Sequence, residues 1–220
     1  MEKVILFGNG QMAEIAHCYI TRDTDMQVVG FTVDRAYMED NSFLALPLMP
    51  FEEIDDIMPP SEFKMFVPIG AKNMNRMRAE KYAQAKNKGY TFINYVHSNV
   101  TIWPETELGE NCFIFENNVI QPFTKIGNNV VLWSGNHIGH HTTIGDHCFI
   151  ASHVVVSGRV TVKPYCYFGV NATIRDGITI EEATIVGAGA LMLRGSKPKE
   201  VYVGPRPKLH EKNSDDVYVA

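Results

Sequence analysis

The sequence predicts a two-part fold: a small α/β unit followed by an all-β solenoid of six-residue repeats. Three observations lead there. From Ile102 every sixth residue is apolar without a miss: Ile102, Leu108, Ile114, Ile120, Ile126, Leu132, Ile138, Ile144, Ile150, Val156, Val162, Phe168, Ile174, Ile180, Val186 and Met192, sixteen positions in all. With roughly half of an ordinary chain apolar, such a run in one phase is about a one-in-10^5 event. Two positions earlier the residue is mostly small, as at Cys112, Thr124, Val130, Thr142, Cys148, Val154, Cys166 and Ala172. One position later glycine recurs, at Gly109, Gly127, Gly139, Gly145, Gly169 and Gly187, where a corner calls for an unhindered backbone. Residues 1–97 lack this rhythm and alternate apolar runs with helix-spaced residues.

In the first unit, Lys3-Val4-Ile5-Leu6-Phe7 reads as a strand, Gly8-Asn9-Gly10 as a tight turn, and Met12, Ile15, Ala16 and Tyr19 as the inner face of a helix. Gln27 to Val33 is a second strand ending at Asp34, and Pro50 opens a short helix through Ile54. Lys64 to Val67 is a third strand, Asn73 to Lys88 a helix stopped by Gly89, and Thr91 to Val96 a fourth strand. Such alternation implies a small parallel sheet covered by helices, a truncated Rossmann-like unit. Ligands of these sheets sit beyond the carboxyl ends of the strands. Gly8, Asn9 and Gly10 can admit a ligand to the backbone, and Asp34 can accept from a ribose or base. Asn73, Arg76 and Arg78 are placed to face a phosphate, although alternating basic residues also suit a solvated helix face.

His97-Ser98-Asn99 joins the two units without a long linker, so they are expected to pack rigidly. A six-residue period with one large and one small inward side chain is that of a hexapeptide solenoid. Three hexads close one triangular coil, so residues 18 apart stack at the strand spacing of ~4.8 Å. Past Met192 the repeat stops, Val201 to Val203 reads as a last strand, and residues 209–220 as a polar tail. The divisions expected are 1–97, 98–208 and 209–220.

A net charge of -5 and a pI near 5.9 give no basic footprint for nucleic acid. No apolar run reaches ~18 residues and no basic leader precedes a cleavage site, so a cytoplasmic protein off the membrane is expected. Cys112, Cys148 and Cys166 share one phase of the repeat, which suits small reduced thiols filling the core.

Five of the eight histidines fall together: His137, His140, His141, His147 and His153. His140 lies two after an inward Ile, at a corner, and Gly158 follows 18 residues later. A corner imidazole one coil from a glycine N–H pairs a general base with an oxyanion donor, the least equipment for moving an acyl group. Asn117, Asn118, Ser134 and Asn136 on neighbouring coils are candidates to touch a sugar, or plain turn residues.

An α/β amino-terminal unit carrying Gly-x-Gly, fused to hexads with the segment His140-His141-Thr142-Thr143-Ile144-Gly145, resembles bacterial sugar acetyltransferases such as sialic acid O-acetyltransferases and UDP-4-amino-sugar N-acetyltransferases. The resemblance implies an α/β Rossmann-like domain followed by an all-β left-handed parallel β-helix. It also implies a homotrimer that holds acetyl-CoA between neighbouring β-helices. The residue matching His140 would be the base, the next residue its orienting partner, and Gly158 the oxyanion contact. From their places in the sheet and on the neighbouring coils, Gly8, Asn9, Gly10, Asp34, Asn73, Asn118 and Asn136 are the expected contacts to a nucleotide-linked sugar. Gly169, Gly187 and Ala188 would meet the pantetheine of acetyl-CoA, with Arg206 or Lys208 on its phosphates. The expected reaction is N-acetylation of a nucleotide-linked amino sugar for cell-surface glycans, without a metal.

Two residues depart from that pattern. His141 stands where an acidic residue is usual, leaving Asp146, a backbone carbonyl or a neutral His141 to orient His140. Met12 stands where the glycine loop commonly carries a histidine. O-acetylation of a sialic acid is the alternative within the class. Outside it stand a zinc enzyme resembling γ-carbonic anhydrase, with His137, His140 and His141 as ligands, and a non-catalytic nucleotide-sugar-binding regulator.

Overall fold

The computed structural model of the protein describes residues 1–213 and 215, so Ser214 and residues 216–220 of the expected tail lie outside the described residues. The first unit contains β1 (Lys3–Phe7), α1 (Gln11–Asp23), β2 (Gln27–Val33), β3 (Ser42–Phe43), β4 (Leu46–Pro50), α2 (Ile54–Ile57), β5 (Lys64–Phe66) and α3 (Arg76–Asn87). Its sheet runs β3-β4-β2-β1-β5, parallel except for β3 on β4. The chain steps outward from β1 to β2 and β4, then returns to β5 on the other side of β1. The strand order therefore reverses beside β1, where such sheets open a crevice.

Three features differ from expectation. β4 is a parallel strand the sequence hides, because Pro47 and Pro50 flank only a short apolar stretch. Tyr95–Val96 does not extend the α/β sheet; it pairs with Phe113–Ile114 as the first strand of a solenoid face, and only a Met65–Phe92 bridge ties this stretch to β5. The third helix begins at Arg76 rather than Asn73, since Asn73, Met74 and Asn75 all have left-handed backbones (φ 53°, 52° and 64°), which a helix cannot continue.

The solenoid is a triangular prism of three parallel sheets in which the pairings join residues 18 apart, as in Ile120↔Ile138 and Ile138↔Val156, except at the last strand, where Ile185 pairs with Val201. The faces have six, five and seven strands. The six-stranded face holds Thr101–Ile102, Val119–Ile120, His137–Ile138, Val155–Val156, Thr173–Ile174 and Leu191–Met192. The five-stranded face starts at Glu107–Leu108 and the seven-stranded face at Tyr95–Val96. The inward aliphatic series is buried from Ile114 to Met192, each side chain contributing roughly 1.5–3 kcal/mol. Only Ile102 and Leu108, on the first coil with no strand above them, stay partly exposed. Cys112, Cys148 and Cys166 line the same core, their thiols donating to the carbonyls of Gly127, Lys163 and Glu181.

The recurring glycines have a cause other than backbone freedom. None of Gly109, Gly127, Gly139, Gly145, Gly169 and Gly187 has positive φ; the left-handed residue of each corner lies three before the inward aliphatic, as at Asn111, Asn129, His141, His147 and His153. The glycines are needed because the next coil passes too close. A Cβ on Gly139 would stand 2.5 Å from Gly158 N, and one on Gly169 the same distance from Ala188 N.

The α/β unit packs on the seven-stranded face. Phe113, Val131 and Phe149, outward on that face, share a core with Val4, Leu6, Ala16 and Phe66. Arg78 of α3 rivets the join. It is wholly buried and donates to the carbonyls of Ile69, Gly70, Asn129, His147 and Cys148 and to Asn75 Oδ1. Burial lowers its pKa to about 10, which leaves the guanidinium charged at neutral pH. It neither faces a phosphate nor lies on a solvated helix face.

Candidate active site

The segment after each strand of the six-stranded face turns a corner onto the five-stranded face, and His140 and His141 occupy one such corner between His137–Ile138 and Thr143–Ile144. Both imidazoles are exposed. The His140 ring lies over the coil below it: a Cβ on Gly158 would fall 2.7 Å from its Nε2 and 2.8 Å from its Cε1. Its other nitrogen, Nδ1, is 3.1 Å from His141 Nδ1, with the two rings at 86°. The His140 N–H donates to Gln121 Oε1 at 2.9 Å and its carbonyl accepts from Arg159 N–H at 2.8 Å, which fixes the backbone from both neighbouring coils. Phe123, directly above His141 in the stack, lays its ring 4.8 Å from that imidazole. Among the described residues the Gly158 N–H has no hydrogen-bond acceptor. This corner thus sets an imidazole edge against a glycine whose amide has no hydrogen-bond acceptor among the described residues.

Of the partners considered for His140, Asp146 is ruled out. It sits at the next edge, where its Oδ1 accepts from Asn128 N–H at 2.7 Å. Gln121 and Phe123 were missed, though each falls one coil above the histidine pair and could have been found by counting back 18 residues from Gly139 and His141.

At the carboxyl edge of the α/β sheet, Gly8 takes φ 117°, a conformation that requires glycine, and donates to Thr32 O. Gly10 opens α1 with empty space where a Cβ would be, so backbone is accessible beside the amino end of that helix. Asn9 Nδ2 donates to Tyr37 O at 3.1 Å. Asp34 is less available than expected, because Lys81 Nζ binds one of its oxygens at 2.7 Å. Lys81, held over the Phe7 and Phe51 rings, is an addition that the sequence did not flag. Asn73 is exposed on the loop leaving β5.

Asn118 and Asn136 do not belong to a binding site. They occupy the small inward phase, two before Ile120 and Ile138, and are buried inside the prism. Their side chains are spent on backbone: Asn118 Nδ2 donates to Phe115 O and Trp133 O, and its Oδ1 accepts from Asn136 N–H. Asn136 Oδ1 accepts from Val154 N–H. Gly169, Gly187 and Ala188 line the edge that follows the seven-stranded face, a different edge from that of His140. Within one chain they do not meet the histidine, and only a neighbouring copy could bring the two edges together. Arg206 and Lys208 are exposed in the segment after the last strand. Among the described residues no three His, Cys, Asp or Glu groups converge as metal ligands, so His137, His140 and His141 form no ligand set within the chain.

The family described as "Bacterial transferase hexapeptide (six repeats)" matches residues 123–158, the coils that carry His140 and Gly158. No curated protein sequence matches the chain.

Particular solved structures extend the likeness to the whole fold. One is perosamine N-acetyltransferase from Caulobacter crescentus, a histidine-to-asparagine variant bound to CoA and GDP-perosamine. It superposes with a TM-score of 0.83 at 22% identity, over 93% of this chain and 94% of that one. The acetyltransferase domain of PglB from Neisseria gonorrhoeae gives 0.80 at 16% identity, over 93% and 97%. WeeI from Acinetobacter baumannii gives 0.71 at 17%, over 93% and 97%. The chain therefore has the fold of these proteins, an α/β unit followed by a left-handed parallel β-helix.

Proposed function

We propose that the protein is an acetyl-CoA-dependent N-acetyltransferase acting on a nucleotide-linked amino sugar, of the kind that GDP-perosamine represents. The observation that carries this is the His140 imidazole edge over Gly158, on a fold that in a relative holds CoA and a nucleotide-linked amino sugar. The neutral amine attacks the thioester carbonyl while His140 Nε2 removes its proton and the Gly158 N–H donates to the oxyanion. Collapse breaks the C–S bond, and the proton returns from His140 to the CoA sulfur, so the base is regenerated. No covalent enzyme intermediate is needed, because the thioester arrives activated and alignment supplies much of the rate.

The site is completed by a second copy of the chain, in a homotrimer. The α/β unit covers the seven-stranded face, whereas His140 lies on the edge opposite it, so one chain cannot present its sugar site to its own base. Exposed apolar side chains surround that edge: Val119, Val155 and Leu191 on the six-stranded face, with Trp103, Phe123 and Leu193 at its corners. They suit burial against a neighbour. The edge bearing Gly169, Gly187 and Ala188 is then available to acetyl-CoA from the adjoining subunit. The location consistent with these substrates is the cytoplasm, and no helix among the described residues is long and apolar enough to cross a membrane.

Thiol release from acetyl-CoA, measured against a panel of nucleotide-linked amino sugars and sialic acids, tests the proposal. Turnover with an amino sugar is expected. Turnover with sialic acids alone would replace it with O-acetylation, and nucleotide-sugar binding without thiol release would make the protein a regulator.

A further inference from the structure

We infer that Trp133 and His153 are the residues that read the sugar: the pyranose of the nucleotide-linked substrate lies on the indole, and the His153 imidazole bonds the ring hydroxyl beside the amine to be acetylated. The inference rests on the proposed acetyl transfer and deepens it. Both residues lie on the edge between the seven-stranded and six-stranded faces, the edge of Gly169 and Gly187. Trp133 is half-buried, with one face stacked on Phe115 at 4.4 Å between centroids and 9° between planes. One and two coils further along, its column holds Ala151 and Gly169, too small to cover the other face. His153 is exposed, and its ring lies against Gly135 of the coil above, where a Cβ would stand 2.5 Å from Nδ1. The His97 and His147 rings have hydrogen-bond partners, whereas the His153 ring has none among the described residues. A flat apolar surface beside an imidazole that can both donate and accept suits a pyranose, whose ring hydrogens form an apolar face and whose hydroxyls do both.

The α/β unit directs its ligand to this place. Helix α1 climbs toward the first coil: Asp23 accepts from Tyr95 and Ser98, and Tyr19 donates to Glu116, one coil on. Four residues of helix, about 6 Å, thus span one coil of ~4.8 Å, so α1 runs nearly along the prism. Gly10, nine residues before Tyr19, then lies about 13 Å further, roughly two to three coils beyond Glu116 and level with Ser152 and Val170. His140 falls between Gly135 and His153 in sequence, so a neighbour related by a threefold axis along the prism presents its His140 between their levels. A sugar reaching from Gly10 to that base crosses the edge at Trp133 and His153.

The probes are UDP- and GDP-linked 4-amino sugars, each compared with its free nucleoside diphosphate and with the analogue lacking the hydroxyl next to the amine. Trp103 and Trp133 are the two tryptophans, so Trp103→Phe leaves Trp133 as the sole fluorophore of that kind. Its emission should shift with an amino-sugar substrate and stay unchanged with the diphosphate alone. Gly135 and Gly189 share the left-handed column of His153, so His153→Gly is accommodated. It should raise KM for the amino-sugar substrate about tenfold, abolish the preference over the deoxy analogue and leave KM for acetyl-CoA in place. A ring serving only the fold would change Tm and affect both sugars alike. An undiminished preference in His153→Gly, or equal emission changes with diphosphate and amino sugar, would overturn the inference. A sugar-specific emission change without thiol release would instead overturn only the acetyl-transfer reading.

Discussion

His140 Nε2 lies so near Gly158 that even a methyl group on the glycine would press on the ring at 2.7 Å. The backbone at Gly158 does not have positive φ, so alanine can be built there, and the cost falls on the imidazole rather than on the fold. Gly158→Ala should therefore keep the melting temperature while lowering kcat by roughly 10^2-fold, the loss expected from a displacement of about 1 Å at a reacting centre. Thermal melts beside thiol-release rates make the comparison.

Arg78 should behave in the opposite way. Replacing it by leucine strips the hydrogen bonds from six acceptors in the join between α3 and the prism. A loss of about 4 kcal/mol is expected. In a chain of this length that corresponds to a fall of roughly 8–16 °C in Tm. Arg78→Lys should recover only part of it, since a single ammonium cannot reach a fan of carbonyls. Differential scanning calorimetry of both variants decides the point.

His147 gives the fold a dependence on pH. Burial holds its imidazole below the ordinary 6.5, with Arg78 adding to that effect and Asp146 opposing it. Its Nδ1 lies 2.9 Å from Asn129 Nδ2, whose partner oxygen is already bound by Asn111 Nδ2, so the ring must accept there and stay neutral. Below about pH 6.5 the unfolded chain binds a proton that the folded one resists, so stability is complete above that pH and declines as pH falls. His147→Asn, suited to the left-handed corner that Asn129 and Asn111 also occupy, should flatten the change between about pH 5 and 6.5. Urea midpoints taken across that range report it.

The prism was legible because its period is carried by packing alone: each sixth side chain faces inward whatever the tertiary context. The same count of 18 placed Gly158 beneath His140 before any coordinates. It misjudged Asn118 and Asn136 because polar type suggested surface, whereas their phase, two before an inward aliphatic, already assigned them to the interior. Arg78 and Lys81 were beyond reach, since their partners lie on elements distant in sequence and only the packing of α3 brings them together. β4 escaped because its prolines resemble loop chemistry.

The rate of CoA release by His140→Asn at saturating acetyl-CoA and amino-sugar substrate, compared with the wild-type rate, tests the central claim most directly. His140 is exposed, so the variant should melt with the native protein. Its kcat should fall on the order of 10^2 to 10^4-fold. A variant that turns over at close to the native rate would contradict the assignment of His140 as the base.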